Sequence, residues 1–279
     1  MTADAGAGEL RESFADFAAW RVFAEARPFL FDRHYIDAIV EFGRRQGVVS
    51  DFLGPIGPEE VRIVGESYRE GFLAAGFNPR QRAVMDLFTE APQAWSMAEA
   101  RIYAHEALSR FALAFRGRYP RFLGSEYASD EAARRALFPI PAIDILDSGF
   151  EDQCFDIVLS NDVLEHVADL DRALEETVRI LRPEGRLIAT FPFRDGAEAT
   201  EPKAILEDGQ VRYLTTPEYH DNPADPEARS LVFQLPGWDV LARARSAGFS
   251  SAEMIFWSSR ARGLTNQNLA GVHVLQAIR

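Results

Sequence analysis

From about residue 100 onward, short apolar runs rich in isoleucine, valine and phenylalanine alternate with amphipathic segments of helix length. Parallel strands need a crossover connection, usually a helix, so this alternation predicts β-α-β units around a parallel sheet. We therefore expect an α/β fold with helices on both faces of a mostly parallel sheet. The predicted strands lie near residues 101–104, 121–125, 142–144, 155–160, 186–191, 252–257 and 272–278. The predicted helices cover residues 108–116, 171–181 and 238–247.

The first third of the chain has a different pattern. Residues 1–12 are small and polar and are expected to be loose. Apolar residues recur at helical spacing from residue 14 to about residue 46, and a second helical stretch is centred on residues 80–88. The sequence thus predicts an N-terminal helical region over residues 1–95, which would serve as a lid, a dimerisation surface or part of an acceptor pocket. The rest, residues 96–279, is expected to form the α/β domain.

Charge and cysteine content exclude several classes of protein. The formal net charge is −13, so bulk nucleic acid is not an expected partner, because phosphate binding depends on clustered lysine and arginine. The single cysteine, Cys154, rules out an intramolecular disulfide framework and a cysteine-rich zinc site, and no metal site is predicted. The sequence has neither a signal peptide nor an apolar run of membrane-spanning length, so we expect a cytoplasmic protein that does not bind membranes.

One continuous stretch carries a family resemblance. Residues 144–167 read DILDSGFEDQCFDIVLSNDVLEHV, and residues 173–193 read ALEETVRILRPEGRLIATFPF. Both resemble the signature of class I S-adenosylmethionine (SAM)-dependent methyltransferases, with Glu184 where that family has a glycine. The resemblance covers about 50 residues with several fixed spacings. It implies a Rossmann-like, seven-stranded sheet and SAM as the cofactor.

The same resemblance implies which residues hold the adenosine part of SAM. In the family, the carboxylate at the position of Asp144 accepts a hydrogen bond from the adenine amino group, and the backbone of the next residue, Ile145, contacts the ring. The stretch FLGSEY at residues 122–127 resembles the family's second strand, which puts the acidic residue Glu126 in position to bind the ribose hydroxyls. The neighbouring residues expected at the cofactor are Gly124, Ser125, Tyr127, Asn161 and Asp162.

The glycine-rich turn that usually follows the first strand is absent. Residues 102–109 read IYAHEALS, whereas glycines would let backbone amides approach a ligand closely. Either His105 and Glu106 face the amino-acid end of SAM through a different turn, or the site is degenerate and inactive. The chain resembles a bacterial, methyltransferase type 11-like subgroup that has the GSEY strand and lacks the glycine-rich turn, which favours the first alternative.

The acceptor side is expected between the fifth strand and the last helix, in an insertion at about residues 194–236. His220 lies there, and His166 follows the sheet in the LEHV motif. An imidazole titrates near neutral pH and suits general-base work, so both are catalytic candidates, although each could instead form only structural hydrogen bonds. Tyr219, Asp221 and Trp238 are the residues expected to bind the substrate.

These features lead to a SAM-dependent methyltransferase acting on a small-molecule acceptor, most simply at oxygen or nitrogen, as the first functional hypothesis. Two alternatives stay open. The chain could be a non-catalytic methyltransferase-fold scaffold or partner subunit, as the missing glycines suggest, or it could use SAM for chemistry other than methylation. A homo-oligomer is possible in each case.

Overall fold

The structure is a computed structural model that describes residues 8–91, 98–128, 130–221 and 229–279. In chain order, the strands are β1 (Glu9–Phe14), β2 (Val48–Ser50), β3 (Gly54–Ile56), β4 (Val61–Ile63), β5 (Phe72–Ala74), β6 (Ile102–Ala104), β7 (Phe122–Gly124), β8 (Phe155–Asn161), β9 (Leu181–Thr190), β10 (Glu201–Pro202), β11 (Ala204–Glu207), β12 (Gln210–Tyr213), β13 (Tyr219–Asp221), β14 (Arg229–Leu231), β15 (Gln234–Leu235), β16 (Ser251–Ser259) and β17 (Val272–Ile278). The α-helices are α1 (Phe17–Glu25), α2 (Arg33–Gln46), α3 (Tyr68–Gly71), α4 (Pro79–Thr89), α5 (Arg110–Arg118), α6 (Glu131–Leu137), α7 (Leu170–Ile180) and α8 (Asp239–Ala247). None of these helices combines the length and the apolar character that a membrane span requires.

Seven of the strands form one sheet in the order β1-β16-β17-β9-β8-β6-β7. Strand β8 pairs in parallel with β6 and β9, β6 pairs in parallel with β7, and β1 pairs antiparallel with β16. Every residue of β8 is buried, as expected for a strand whose two faces are both covered. The predicted α/β class with a seven-stranded, mostly parallel sheet is confirmed.

The chain divides into two compact units. One comprises Met1–Gln93 with Glu253–Leu275, and the other comprises Ala94–Ala252 with Gln276–Arg279. The predicted domain division near residue 95, and the lid, dimerisation or pocket role offered for the N-terminal region, stay predictions.

The first unit has an aromatic cluster built around Trp20. Its ring lies 5.1 Å from the ring of Phe256 and 4.6 Å from that of His273 (centroid to centroid). Burial lowers the pKa of His273 to about 3, because the charged imidazolium would lose its hydration. His273 is therefore a neutral, partly buried residue.

In the second unit, the segment between β9 and α8 forms three antiparallel strand pairs, β10–β15, β11–β12 and β13–β14. They lie within the stretch expected to shape the acceptor site, of which residues 222–228 lie outside the described part of the chain. Helix α8 ends at Gly248, whose φ of 115° is readily reached only by glycine.

Three local predictions were wrong. Residues 9–12, expected to be loose, belong to β1, an edge strand with exposed polar side chains that resembles a loop in sequence. The predicted helical stretch 14–46 is two helices, because Pro28 starts a 3₁₀ turn between them. The predicted strand at 142–144 is only an isolated bridge between Ala142 and Glu126, since Pro141 has no N–H to donate.

Candidate functional site

The carboxyl ends of β7, β6 and β8 lie side by side in the second unit. Ala104, the last residue of β6, is paired with Gly124 of β7 and Leu159 of β8. Because the strands are parallel, the residues that follow them emerge at one edge of the sheet, where open parallel sheets bind ligands. The predicted cofactor residues at this edge are His105 and Glu106 after β6, Ser125, Glu126 and Tyr127 after β7, and Asn161 and Asp162 at the end of β8.

Glu106 and Asn161 are joined across this edge. The side-chain amide of Asn161 donates a hydrogen bond of 2.6 Å to Glu106 Oε1, and the Thr190 hydroxyl donates one of 3.3 Å to Asn161 Oδ1. Burial raises the pKa of Glu106 to about 7, because the charged carboxylate is poorly hydrated there. Glu106 can therefore hold or release a proton near neutral pH and would be stabilised as an anion by a nearby cation.

Glu126 organises the turn that lacks glycines. Its Oε1 accepts hydrogen bonds from the backbone amides of Ala107 (2.8 Å) and Leu108 (2.9 Å). Bonds from backbone N–H groups to a charged carboxylate are stronger than neutral ones. The turn after β6 is thus held by the carboxylate of Glu126, which follows the neighbouring strand β7 and lies in direct contact with the turn.

Gly124 makes this arrangement possible. A Cβ atom at Gly124 would lie 2.5 Å from the carbonyl oxygen of Glu106 and 3.0 Å from Cα of Ala107. Both atoms belong to the backbone and could not move aside without moving the turn. The glycine of the GSEY stretch therefore allows the turn after β6 to pack directly on β7.

Asp144 lies in a segment hydrogen-bonded to Glu126. The Glu126 amide donates to the Pro141 carbonyl (3.0 Å), and the Ile143 amide donates to the Glu126 carbonyl (2.9 Å). Beyond them, Asp144 Oδ1 accepts a hydrogen bond of 2.9 Å from the amide of Leu146. Ile145 forms the turn between Asp144 and Leu146. The structure thus brings the predicted adenine and ribose residues onto adjacent backbone segments.

Asp162 has an unusual backbone conformation at the end of β8. Its φ is 52°, in the left-handed region, and its amide donates a hydrogen bond of 2.8 Å to the Thr190 carbonyl. Besides glycine, aspartate and asparagine are the residues that adopt this conformation most readily.

Three of the residues predicted to bind the cofactor differ in how exposed their side chains are. The His105 ring is buried, with Nδ1 3.1 Å from the Ser160 hydroxyl, and burial lowers its pKa to about 4. Ser125 is also buried, 2.8 Å from the hydroxyl of Tyr103. Tyr127, in contrast, is 64% exposed. The expectation that His105 faces a cofactor is corrected for its side chain, which packs in the core.

A second cluster of titratable groups forms around Glu165. Nε2 of His166 lies 3.2 Å from Nδ1 of His220, and each of these nitrogens lies 3.6 Å from Glu165 Oε1. Glu165 is fully buried, and neither of its carboxylate oxygens accepts a hydrogen bond from a described residue. Burial raises the pKa of Glu165, and the Glu165 carboxylate raises the pKa of His220. The two histidines predicted as catalytic are therefore brought together.

The insertion holds this cluster in place. His166 Nδ1 lies 2.8 Å from the carbonyl oxygen of Leu231, and the Phe233 amide donates a bond of 2.8 Å to the Glu165 carbonyl. The Gln234 side chain donates to the Val167 carbonyl at 3.1 Å. Backbone groups from both ends of the 3₁₀ turn Leu164–His166 are thus fixed by the strands that follow His220.

The residues predicted to bind substrate are not equally placed. Tyr219 and Asp221 flank His220 on β13 and are exposed, with the Tyr219 hydroxyl 3.2 Å from that of Tyr213. Trp238 is only 3% exposed, and its ring nitrogen donates to the Asp195 carbonyl. The Trp238 ring is thus a core contact in this structure, and its role in substrate binding stays a prediction.

Sequence reasoning did not identify Glu165 as a site residue. Glu165 belongs to the LEHV motif, but a glutamate beside a histidine in a helical turn is commonly a surface residue, so the motif does not reveal its burial. Only the return of the chain at His220, 54 residues after His166, shows that this glutamate is buried beneath two imidazoles.

Residues 120–189 match the family model described as a methyltransferase domain. Two curated relatives match part of the chain. A glycine/sarcosine/dimethylglycine N-methyltransferase of Actinopolyspora halophila is 33% identical over 84 residues, which is 28% of this chain and 15% of that protein. An uncharacterized 37.1 kDa transposon protein of Streptomyces fradiae is 36% identical over 90 residues, or 30% of this chain and 26% of that protein. The matched part is thus a small fraction of either relative.

Solved structures with a similar fold have low sequence identity. A SAM-dependent methyltransferase from Mesorhizobium loti is 16% identical, with a TM-score of 0.44, and the match covers 72% of this chain and 100% of that one. The 1,6-didemethyltoxoflavin-N1-methyltransferase of Burkholderia thailandensis, solved with 1,6-didemethyltoxoflavin and S-adenosylhomocysteine, is 14% identical, with a TM-score of 0.41 and coverage of 72% and 78%.

Proposed function

We propose that this chain is a class I SAM-dependent methyltransferase that uses SAM to methylate a small-molecule acceptor at oxygen or nitrogen; the match of residues 120–189 to a methyltransferase domain supports this. The observation that carries the proposal is the joint position of Glu106 and Glu126. The two carboxyl groups follow neighbouring parallel strands, where ligands of such sheets bind.

The chemistry of the residues at this edge fits SAM, which carries a sulfonium and an ammonium group. A carboxyl group such as Glu106, linked to Asn161, suits the ammonium group at the amino-acid end. Glu126 suits the ribose hydroxyls, and Asp144 suits the adenine amino group, because carboxylates accept hydrogen bonds. SAM, when bound, supplies an electrophilic methyl group, and the protein's task is to align the acceptor with it.

The missing glycines do not argue against this site. The amides of Ala107 and Leu108 are already engaged by Glu126, so this turn has no amides to offer a ligand at those two positions. A binding role for the turn then falls to the Glu106 side chain. This supports the alternative in which the amino-acid end is held by side chains rather than by a glycine-rich backbone.

The hydrogen bonds of the two histidines assign a proton acceptor. The Leu231 carbonyl can only accept, so His166 carries its proton on Nδ1 and has a lone pair on Nε2. His220 Nδ1–H donates to that lone pair, which leaves Nε2 of His220 free to take a proton. We propose that His220 Nε2 removes the proton of the acceptor hydroxyl or ammonium group, and that Glu165 stabilises the resulting imidazolium.

The insertion at residues 194–236 supplies the acceptor's surroundings in this proposal. His220 and its exposed neighbours Tyr219 and Asp221 lie on one strand of a hairpin within it. The Actinopolyspora relative is a glycine/sarcosine/dimethylglycine N-methyltransferase, and this similarity supports a small-molecule acceptor here. We propose that the protein acts in the cytoplasm.

Calorimetric titration of SAM into the full chain tests the cofactor site. We expect binding that weakens at least about tenfold in Glu126→Ala and Asp144→Ala, because each loses a charged hydrogen-bond acceptor. Asp147→Ala is the matched control, since Asp147 is exposed three residues away and should not change the affinity. A folded chain that does not bind SAM would refute the proposal.

Transfer of labelled methyl from SAM to a panel of small hydroxyl and amine compounds tests the reaction. His220→Gln should lower kcat by about 100-fold or more and leave the SAM affinity unchanged, as expected when a general base is removed. SAM binding without transfer to any acceptor would instead favour the non-catalytic scaffold.

A further inference from the structure

We propose that Glu165, His166 and His220 form a binding site for a divalent transition-metal ion of the zinc type. The site consists of Glu165 Oε1, His166 Nε2 and His220 Nδ1. All three atoms lie within 4.8 Å of one another, with separations of 3.2, 3.6 and 3.6 Å. Nitrogen and carboxylate oxygen are the donors that zinc takes from proteins alongside thiolate.

The three separations define where an ion would sit. The point equidistant from the three atoms lies about 2.0 Å from each, which matches zinc–nitrogen and zinc–carboxylate distances of about 2.0–2.2 Å. At that point the ion would be coplanar with its donors, with an angle of about 105° between the two imidazole nitrogens and about 127° between each nitrogen and the carboxylate oxygen. To reach the tetrahedral geometry that zinc prefers, the ion must lie outside this plane and the carboxylate oxygen must approach the nitrogens by a few tenths of an ångström.

The groups behind the donors fit a metal site as well. The Leu231 carbonyl fixes the proton of His166 on Nδ1, which leaves the Nε2 lone pair directed at the other two donors. With an ion on Nδ1, His220 would carry its proton on Nε2, which lies 3.6 Å from Glu218 Oε1, an ion-pair distance slightly longer than a hydrogen bond. Histidine ligands of metals usually donate their second N–H to a carbonyl or carboxylate in this way, which fixes the tautomer and the ring orientation.

Glu165 provides an independent observation. Its side chain is fully buried, yet both carboxylate oxygens lack a hydrogen bond from the described residues. A buried carboxylate without partners is costly and needs an explanation, and a bound ion is one of the recognised ones. A divalent cation would pair with this oxygen at the distance given above.

Three protein ligands leave a fourth position open, the pattern of catalytic rather than structural zinc sites. His166 and His220 have 18% and 32% of their side chains exposed, so a small oxygen ligand can reach the ion from their side. The expected fourth ligand is water or a hydroxyl oxygen, whose pKa such an ion lowers. With the ion bound, Nε2 of His220 carries a proton, so the general-base role proposed for Nε2 belongs to the metal-free protein. Metal binding can be tested whether or not the chain methylates anything.

The test is titration of Zn²⁺ into the metal-stripped full chain, without SAM or acceptor. We expect one ion per chain, and Co²⁺ in its place should give the intense visible absorption of a four-coordinate ion. His220→Ala and Glu165→Gln should each weaken Zn²⁺ binding by about 100-fold, and Glu218→Gln by about 10-fold. His34→Ala is the matched control, because His34 is exposed on α2.

The proposal is overturned if the folded chain binds no Zn²⁺, or if His34→Ala weakens binding as much as His220→Ala does. Because His220 is partly exposed, His220→Ala decides the matter even if Glu165→Gln fails to fold, as circular dichroism would reveal. SAM affinity, measured on the same samples, separates this outcome from that of the proposed cofactor site.

Discussion

Asn161, at the end of β8, donates a hydrogen bond of 2.6 Å to Glu106, which follows the neighbouring strand 55 residues earlier. The bond ties two strand ends together at a carboxyl group whose pKa burial raises to about 7. Folding therefore favours the protonated form of Glu106, and a consequence for stability follows.

Between pH 4.5 and 7, the folded chain keeps a proton on Glu106 that the unfolded chain has already lost. Stability from this group is thus present at low pH and falls as the pH rises through that window. We expect the free energy of unfolding of the wild type, relative to Glu106→Gln, to drop by roughly 2 kcal/mol from pH 5 to pH 8. Urea denaturation at several pH values measures it, with exposed Glu175→Gln as the control.

His105, the adjacent residue, should give the opposite dependence. Burial lowers its pKa to about 4. Below about pH 6.5, the imidazole of the unfolded chain therefore takes up a proton, whereas the imidazole of the folded chain stays neutral. Stability from this group is present above pH 6.5 and is lost as the pH falls toward 4. His105→Asn retains a polar partner for Ser160. We expect the acid-dependent loss in its free energy of unfolding to be about 2 kcal/mol smaller than that of the wild type. The substitution His34→Asn, on the surface, should leave the slope unchanged.

The sequence predicted those strands whose burial produces a recognisable local pattern of apolar residues. Strand β8 is buried throughout, so a run of apolar residues reveals it. Strand β1 lies at a sheet edge, and its residues other than Leu10 and Phe14 are polar and exposed, a pattern that a loop can share. Edge strands of this kind are found only through their pairing partner, here residues 254–259.

The site could be predicted only in part for a similar reason. Glu126 follows β7, and Asp144 stands at a spacing that the family resemblance fixes, so their neighbourhood was predictable. The Glu165 cluster depends on how the insertion returns to the 3₁₀ turn, a long-range contact that no local pattern encodes. The burial of Trp238 was missed because an aromatic residue beside a loop has the same sequence signature whether it packs or binds.

Gly124→Ala tests the close packing of the turn on β7. The new Cβ would lie 2.5 Å from the Glu106 carbonyl, so the turn must move, at a cost of about 1–3 kcal/mol. Moving it lengthens the bonds from Ala107 and Leu108 to Glu126, and we expect SAM affinity to fall as well. Thermal and urea unfolding with calorimetry measure both effects.

Gly117→Ala is the matched control for that change. Gly117 is exposed in α5, and a Cβ there meets nothing within 4 Å. Alanine favours a helix over glycine by up to about 1 kcal/mol, so this substitution should stabilise the chain. A Gly124→Ala protein as stable as the wild type would contradict the packing described for the turn.

Glu184 stands where the methyltransferase family has a glycine, and its φ of 64° lies in the left-handed region. The residue is exposed within β9, so its side chain contributes little packing to offset the strain. Glu184→Gly should therefore raise the free energy of unfolding by about 1 kcal/mol, because glycine adopts this conformation without the steric penalty. Glu175→Gly makes the same chemical change on the exposed face of α7 and should lower it by a similar amount. Parallel urea titrations compare the two, and effects of the same sign would show that the left-handed conformation is not strained.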